Sequence, residues 1–526
     1  MSKGSYSFTT PIYYVNARPH LGTAYTTVAA DTVARYQRMN GYDVAFVTGL
    51  DEHGQKIAET AEINNMAPLA WCDSMEPPFR EAWDMLNITY TDFVRTTEPR
   101  HAKTVQKFWN DLYEKGFLYK GVYEGWYCLP DETSYAESDL EKDEEGTLIC
   151  PECKRPVQKT STEENWFFKL SDFQDKLLAF YEENPHFIRP ETRRNEIVSF
   201  VSRGLKDLSI SRSTFDWGVP LPFDEGHVAY VWADALLAYI TGIGYGNPDR
   251  ATEFDAFWPM QYHFVGKDIL RFHCVIWPAM LMAAGLPIAN TVFAHGFLLT
   301  KGEKMSKSKG NALSPADLIS VFGVDAYRYY FMSDVQFGND GSISLERMVQ
   351  VYNADLANTW GNLCSRVFNM TGKYFEGKVP LAPDFAADNP LKEIADSLYE
   401  EYDACLGLVD FTGAVNAVQK LASRVNLYVE DSAPWNLAKK EEDAPALAAV
   451  IYNALEAIRI IALFMAPFMP NTSAEVFRRL NLGDITAVTD IETACTWGGL
   501  LANNTVETGE ALFPRLDVEA IDFSAE

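Results

Sequence analysis

A strand, a tight loop and a helix near the start of the chain constrain the fold more than any other feature. The apolar run at residues 6–15 is typical of a strand, and residues 24–39 follow with helical spacing. His20-Leu21-Gly22-Thr23 joins them, and a second short strand is predicted at 44–47. This order predicts a βαβ unit of an α/β fold, with its first loop at a helix N-terminus, where backbone N–H groups attract an anion.

A second loop, far along the chain, also has the composition of a phosphate-binding element. The lysine-serine segment, residues 301–310, contains Lys304, Lys307 and Lys309 together with two serines and flanking glycines. Such a segment suits a clamp on a polyphosphate. With the first loop, it predicts an enzyme that splits ATP between two halves of a nucleotide-binding fold.

Four further motifs accompany the two loops in a fixed order. They are Gly-Leu-Asp-Glu-His-Gly at 49–54, Tyr-Val-Trp-Ala-Asp-Ala at 230–235, the stretch 264–279 that begins Phe-Val-Gly-Lys-Asp, and Ala-Pro-Trp at 433–435. With these motifs the chain resembles class I aminoacyl-tRNA synthetases, and most closely the methionyl-tRNA synthetases. The resemblance spans nearly the whole chain. One His-x-Gly-x match alone is weak, whereas this many motifs in one order are strong.

The resemblance implies a split Rossmann-type α/β catalytic domain with a zinc-knuckle-like insertion, followed by an α-helical anticodon-binding bundle. It also implies a methionine–tRNA ligase that uses ATP with Mg²⁺, L-methionine and methionine tRNA. The predicted domains are the first catalytic half (1–117), the insertion (118–222), the second catalytic half (223–297), a linking region (298–352) and the bundle (353–526).

Composition limits the class of protein and its compartment. The chain has 526 residues, 47% of them apolar, so several packed domains are expected rather than disorder. We find no run of about 18 consecutive apolar residues and no signal-peptide pattern, which predicts no membrane span. The eight cysteines are mostly scattered, which favours a reducing compartment and a cytoplasmic protein.

The net charge of −28 would repel RNA at long range, so tRNA binding needs local basic surfaces. The lysine-serine segment and residues 189–212 are the two candidates, although the second is equally consistent with a solvated helix face of mixed charge. The chain ends after the predicted bundle without a further domain of the dimer-forming kind. Together with the charge, this predicts a monomer.

By resemblance, the phosphate-handling residues come from the two loops. His20, Thr23, Lys304 and Lys307 are the implied catalytic residues, and His20, Gly22, Asp268 and Lys307 the implied ATP ligands. Thr23 departs from the family, which commonly has a second histidine there. Threonine can donate a hydrogen bond but carries no positive charge, so its contribution to the transition state is in question.

Methionine recognition needs a carboxylate for the α-ammonium group and an apolar pocket for the side chain. By resemblance, Asp51 supplies the carboxylate. Aromatic walls suit a polarizable thioether. The implied pocket residues are Ile12, Tyr14, Trp232, Ala235, Leu236, Tyr239, Ile269, His273 and Trp277.

Cys128, Asp131, Cys150 and Cys153 have the spacing of a zinc knuckle, with aspartate where a second cysteine is usual. Either one structural Zn²⁺ is held by three thiolates and a carboxylate, or the knuckle has lost its metal and keeps its fold by packing. The residues leave both open.

In the helical third, the resemblance implies that Trp435 stacks on an anticodon base while Asn362 and Arg366 contact base edges, the usual way of recognising splayed RNA bases. Without the resemblance, a buried tryptophan of the bundle is the favoured interpretation of Trp435.

Two alternative functions remain at this point. One is a class I synthetase for another amino acid, although the insertion predicted at 118–222 is too short for an editing domain plus a knuckle. The other is a synthetase-like RNA-binding protein with weakened catalysis. Thr23 favours it, while Asp51, His20 and Lys307 oppose it.

Overall fold

The computed structural model describes residues 2–123, 125–129, 133–135, 137, 140–143, 145–151, 153–159, 163–300, 303–304, 314–381 and 389–517. At the centre lies a six-stranded sheet in which each neighbouring pair is parallel. In spatial order its strands are β11 (Ile188–Arg189), β17 (Thr291–His295), β16 (Tyr262–Gly266), β1 (Ser5–Tyr14), β2 (Asp43–Asp51) and β3 (Asp92–Arg95).

The strand order places a crevice beside β1. From β1 the chain builds the sheet in one direction through β2 and β3, and later in the opposite direction through β16 and β17. In open α/β sheets, ligands bind at such a reversal, outside the carboxyl ends of the strands. The confirmed α/β fold therefore positions a site where β1 and β16 end.

The first βαβ unit forms as predicted, with shifted boundaries. Helix α1 is Leu21–Met39 and begins three residues earlier than the sequence pattern indicated, because His20 caps it. Strand β2 does not end at residue 47 but continues to Asp51, paired with β1. Near the end of the predicted first catalytic half lies α4 (Pro99–Glu114), whose Val105, Phe108 and Leu112 are buried.

The predicted insertion is not separate from the catalytic sheet. Strand β11 lies within residues 118–222 and yet pairs with β17 at the edge of the central sheet. The other strands of the chain form small sheets: β4 (Leu118–Tyr123), β5 (Trp126–Cys128), β6 (Thr133–Tyr135), β7 (Glu141–Lys142), β8 (Leu148–Ile149), β9 (Gln158–Lys159), β10 (Glu163–Phe168), β12 (Leu208–Ser209), β13 (Ser211–Arg212), β14 (Pro220–Leu221), β15 (Asp224–Ala229), β18 (Leu298–Thr300), β19 (Glu303–Lys304) and β20 (Gly341–Ser342).

Helices surround the sheet and form the C-terminal third. Those not yet given are α2 (Gln55–Ile63), α3 (Pro68–Met85), α5 (Gln174–Glu183), α6 (Glu191–Ser202), α7 (Val231–Ala235), α8 (Ala238–Thr241), α9 (Ala251–Phe257), α10 (Trp277–Ala284), α11 (Pro315–Phe322), α12 (Val324–Ser333), α13 (Leu345–Val351), α14 (Asn362–Phe375), α15 (Pro390–Gly407), α16 (Phe411–Ser432), α17 (Pro434–Leu437), α18 (Ala444–Met465), α19 (Pro470–Arg479) and α20 (Ile491–Ala494).

The linking region and the bundle are continuous. Helix α13 passes through a wider helical segment, Tyr352–Gly361, directly into α14, so the helical run crosses the boundary predicted at residue 353. One core containing α1 extends through α12 into α16 and α18. The helical bundle is thus packed on the catalytic half rather than tethered to it.

One long apolar helical stretch bears on the expectation of no membrane span. Among the described residues, Glu441–Met465 is long and apolar enough to cross a membrane by length and composition alone. However, 94% of its apolar window is buried inside the protein, where α18 packs against α14, α15, α16 and α19. Its apolar surface therefore belongs to the core of the bundle.

Candidate active site and tRNA-binding surface

A cavity of about 710 Å³ opens where β1 and β16 end. Its wall combines the end of β1, the start of α1, Asp51 at the end of β2, the first turn of α7, and the segments that follow β16 and β17. The structure brings eleven of the predicted residues to this wall: Ile12, Tyr14, His20, Gly22, Thr23, Asp51, Trp232, Ala235, Tyr239, Asp268 and Ile269.

His20 forms the N-terminal cap of α1. Its Nδ1 accepts the backbone N–H of Gly22 at 3.0 Å and that of Thr23 at 3.4 Å. Because Nδ1 serves as an acceptor, the proton of the neutral ring lies on Nε2. A Cβ on Gly22 would lie 3.0 Å from the His20 ring, so glycine lets the ring fold back over the helix. The exposed imidazole thus presents an N–H donor beside the anion-attracting end of a helix.

Thr23 completes this cap. Its hydroxyl donates to the His20 carbonyl at 2.8 Å and accepts the His20 N–H at 3.0 Å. The threonine that departs from the family pattern therefore binds the main chain of the histidine that precedes it. Its side chain also reaches the cavity wall.

The opposite end of the cavity is aromatic and holds one carboxylate. Asp51 is 1% exposed, and Trp232 and Tyr239 are buried nearby. The rings of Tyr14 and Trp232 meet edge-to-face, with centroids 6.3 Å apart, and Trp232 stacks on Phe272. This arrangement suits a small molecule with a cationic group and an apolar side chain.

Three predicted pocket residues lie behind this wall instead of lining the cavity. Leu236, His273 and Trp277 are buried and do not reach the cavity surface. His273 Nδ1 donates to the Ile269 carbonyl at 2.9 Å, and its Nε2 accepts the Tyr239 hydroxyl at 2.6 Å. Burial lowers the pKa of His273 to about 4, so this layer is neutral at pH 7. This layer fixes the orientation of the Tyr239 ring, which packs against the His273 ring.

A buried charged cluster supports the pocket from another side. Both oxygens of Asp234 are engaged, one with His53 Nδ1 at 2.6 Å and one with His101 Nε2 at 2.7 Å. Asp234 lies two residues after Trp232, and His53 two residues after Asp51. The cluster therefore joins the segment that carries Asp51 to α7, the helix that carries Trp232.

One wall of the cavity was not predicted from the sequence. His295, Gly296, Phe297 and Leu298 line the cavity together with Asp268, and we call this part of the cavity, with the start of α1, the nucleotide half after its predicted ATP ligands. Burial lowers the pKa of His295, and its Nε2 lies 2.6 Å from the Thr26 hydroxyl of α1. These residues lie at the end of the buried strand β17 and directly after it, and that position was the available signal, since ligands bind at such strand ends.

Of the lysine-serine segment, only residues 303–304 belong to the described part of the chain. Lys307 lies outside the described residues, and Lys304 is described only as part of the backbone of β19. Strand β19 pairs with β18, which directly follows the wall formed by His295 to Phe297. Strand β19 is therefore adjacent to the strand that begins at the cavity wall.

The three predicted cysteine ligands come together. The sulfur atoms of Cys128, Cys150 and Cys153 all lie within 4.8 Å of one another, with 3.4 Å between Cys128 and Cys153. Asp131 lies outside the described part of the chain. Among the side chains described here, the cluster around these sulfur atoms has three buried members, Cys128, Cys150 and Val157, and four partly buried residues pack against it. Three clustered thiols fit a thiophilic metal such as Zn²⁺.

The predicted anticodon residues are accessible. Trp435 is 41% exposed and lies in the first turn of α17, so the interpretation as a buried tryptophan is wrong. Asn362 is exposed and Arg366 partly exposed, both in α14. The side chain of Asn426 donates to the Thr359 carbonyl at 3.2 Å, which joins α16 to the helical run that precedes Asn362.

Several arginines of the basic region 189–212 serve the fold. Arg212 is buried, Arg194 donates to the Tyr181 carbonyl at 3.0 Å, and Arg193 pairs with Glu196 at 2.9 Å. Arg203 and Lys206 are exposed. The contacts of Arg193, Arg194 and Arg212 within the protein thus favour a role in the fold over a role in binding RNA.

Comparison with known proteins gives one consistent family. Residues 6–368 match the family described as class I tRNA synthetases (M), and residues 382–524 match the anticodon-binding domain of methionyl-tRNA ligase. A methionine–tRNA ligase of Streptomyces coelicolor is 48% identical, over 98% of this chain and 97% of that protein. One of Caldanaerobacter subterraneus is 46% identical, over 98% of this chain and 80% of that protein.

Solved structures agree with this assignment. Mycobacterium tuberculosis methionyl-tRNA synthetase in complex with methionyl-adenylate superimposes with a TM-score of 0.93 at 40% identity, covering 97% of this chain and 100% of that one. The chain therefore belongs to the methionyl-tRNA synthetases, the class I aminoacyl-tRNA synthetases known as methionine–tRNA ligases.

Proposed function

We propose that this chain activates L-methionine with ATP and transfers the methionine to the 3′ end of methionine tRNA. A methionine carboxylate oxygen attacks the α-phosphorus of ATP, and the bond to the bridging oxygen breaks as pyrophosphate leaves. The observation that carries the proposal is the cavity itself. It has a capped helix N-terminus at one end and a buried carboxylate with aromatic walls at the other.

At the phosphate end, His20 donates from Nε2 to ATP while the Gly22 turn admits the nucleotide. Asp268 accepts hydrogen bonds from the nucleotide, and Lys304 and Lys307 neutralise charge on the departing pyrophosphate, assisted by Mg²⁺. Most of the rate enhancement then comes from alignment and preorganised charge, because the reaction needs little covalent participation by the protein. Thr23 contributes mainly by holding the His20 main chain.

At the methionine end, Asp51 binds the α-ammonium group. Ile12, Tyr14, Trp232, Ala235, Tyr239 and Ile269 enclose the side chain, and Leu236, His273 and Trp277 support that wall from behind. A neutral, aromatic enclosure favours the thioether and offers no charge to a polar competitor.

Three further functions complete the proposal. Cys128, Cys150 and Cys153, with Asp131, hold one structural Zn²⁺, because so few buried residues cannot stabilise the knuckle alone. Trp435, Asn362 and Arg366 bind the anticodon. The chain acts as a cytoplasmic monomer, since a net charge of −28 disfavours self-association.

Charging of tRNA tests this function. With ATP, Mg²⁺ and labelled methionine, the purified chain should esterify methionine tRNA and leave a transcript with an altered anticodon largely uncharged. A chain that forms the adenylate but charges neither transcript would contradict the transfer step. It would favour the alternative of an RNA-binding protein with weakened catalysis.

A further inference from the structure

An ion pair joins two segments that line the nucleotide half of the cavity. Lys267 Nζ lies 2.7 Å from each carboxylate oxygen of Asp340. Lys267 is flanked by Gly266 and Asp268, which both line the cavity. Asp340 belongs to the linking region, just before β20. The pair therefore connects the turn after β16 to a distant part of the chain.

The same two side chains also hold the opposite wall. The Phe297 N–H donates to Asp340 Oδ1 at 2.8 Å, and the Lys267 ammonium lies 4.4 Å from the centroid of the Phe297 ring. Phe297 lines the cavity. Burial alone would raise the pKa of Asp340, but Lys267 and the Phe297 N–H lower it, so the carboxylate stays charged. One ion pair thus bridges both walls of the nucleotide half.

The backbone behind the pair is tightly packed. A Cβ on Gly296 would lie 2.3 Å from the main chain of Asn339 and Asp340, so these segments are in direct contact. Immediately beyond, the Gly341 N–H donates to the Phe297 carbonyl at 2.9 Å, and β18 pairs with β20. Asp340 is therefore attached to a fixed surface, against which Lys267 can hold the Gly266–Asp268 turn in place.

We propose that Lys267 and Asp340 are positioning residues for ATP, acting as one unit that fixes the Gly266–Asp268 turn against the Gly296–Phe297 wall. This inference rests on the proposed function and assigns to that site two residues that do not bind methionine. Lys267 directs its ammonium to Asp340, so its effect on ATP passes through the alignment of its neighbours.

The energetic consequence distinguishes this role from a structural one. The side chain of Lys267 is 20% exposed and that of Asp340 39%, and ion pairs this accessible contribute only about 0–1 kcal/mol to stability. A small misalignment of reacting groups, in contrast, can reduce rates by a factor of about 10². Loss of the pair should therefore affect ATP-dependent kinetics much more than the melting temperature.

The test compares Lys267→Met, Asp340→Asn, their double variant and Lys267→Arg by methionine-dependent exchange of pyrophosphate into ATP. Asparagine keeps an oxygen for the Phe297 N–H and removes only the charge. Each single variant should lower kcat/KM for ATP about tenfold, with KM for methionine changed less than about twofold. The double variant should be no worse than either single one, because the pair acts as a unit. Lys267→Arg should keep most of the activity.

Lys420→Met provides the matched control. It breaks an exposed pair with Glu401 (2.6 Å) in the bundle and should leave both constants unchanged. A loss in Lys267→Met without one in Asp340→Asn would overturn the proposal, since Lys267 would then act on ATP directly. Multiplied losses in the double variant, or a parallel rise in KM for methionine, would overturn it as well. Each comparison is made against an active wild-type chain, whose own inactivity would instead contradict the proposed function.

Discussion

Arg328 and Asp31 form an ion pair at 2.7 Å, and both side chains are fully buried. Asp31 lies in α1, the helix that His20 caps, and Arg328 lies in α12 of the linking region. Arg328 also donates to the carbonyls of Leu86, Pro467 and Phe468. One guanidinium therefore joins the first catalytic half, the linking region and the helical bundle.

Replacing Arg328 with methionine should destabilise the protein strongly. Burial alone would raise the pKa of Asp31, and Arg328 and Arg35 hold it below its ordinary value. Without Arg328, Asp31 loses its main buried partner, a change that typically costs about 3–5 kcal/mol. Urea denaturation measures the loss. Arg347→Met, which removes a more accessible ion pair with Asp334, serves as the control. An equal, small loss of unfolding free energy in the two variants would refute the structural role of Arg328.

The Asp234 cluster predicts a dependence of stability on pH. Burial raises the pKa of Asp234, but His53 and His101 lower it more, to about 2 from 3.8. Because the folded pKa lies below the unfolded one, the carboxylate contributes stability above about pH 4. That contribution is lost as pH falls toward 2.

Comparison with Asp234→Asn isolates this contribution. At pH 6 the variant should be less stable by roughly 2 kcal/mol or more, and the gap should narrow as pH falls from about 4 toward 2. The free energy of unfolding, measured over this range, checks the prediction. Glu441→Gln, at an exposed site, should show no gap at any pH. If the difference in free energy of unfolding between the original chain and Asp234→Asn instead grew on acidification, the prediction would be contradicted.

The cysteine cluster predicts a structural zinc. Elemental analysis should find about one Zn²⁺ per chain, and chelation should lower the melting temperature, since metal binding is coupled to folding. Cys150→Ser should lose the metal, whereas Cys405→Ser, outside the cluster, should keep it. Metal-free protein with full activity and an unchanged melting temperature would establish instead that the knuckle keeps its fold by packing.

Trp435→Ala should weaken tRNA charging about tenfold to a hundredfold, because stacking one base on an aromatic ring contributes about 1–3 kcal/mol. Pyrophosphate exchange should stay intact, since Trp435 is exposed in the bundle. Leu427→Ala, at a 52% exposed position of α16, is the control and should charge normally. Loss of exchange in parallel with charging would show that Trp435 supports the fold.

Local patterns predicted the parts of the site that adjoin each motif. His20 and Gly22 lie at the start of a helix and Asp51 at the end of a strand, so their positions could be predicted from the βαβ order. The ion-pair partners of Arg328 and Lys267 could not be predicted in this way. Each partner is distant in sequence, and a charge pattern does not reveal which carboxylate lies opposite a given cation. The same limit explains why β11 was assigned to the insertion, since its pairing with β17 is a long-range contact.

The layer behind the methionine wall shows a second limit. Sequence motifs identified Leu236, His273 and Trp277 together with Trp232 and Tyr239 but could not separate cavity-lining side chains from supporting ones. Which side chains line the cavity depends on packing. The Tyr239 hydroxyl donates to His273, and the Tyr239 ring lies between His273 and the cavity.

Methionine-dependent exchange of labelled pyrophosphate into ATP tests the central claim most directly. The purified chain, with ATP and Mg²⁺, should catalyse exchange when methionine is present and much less with leucine, isoleucine, valine or cysteine. Lys307→Ala should lower the exchange rate far more than it weakens methionine binding, because its charge is needed as pyrophosphate departs. No exchange with methionine, or equal exchange with another of these amino acids, would contradict the account.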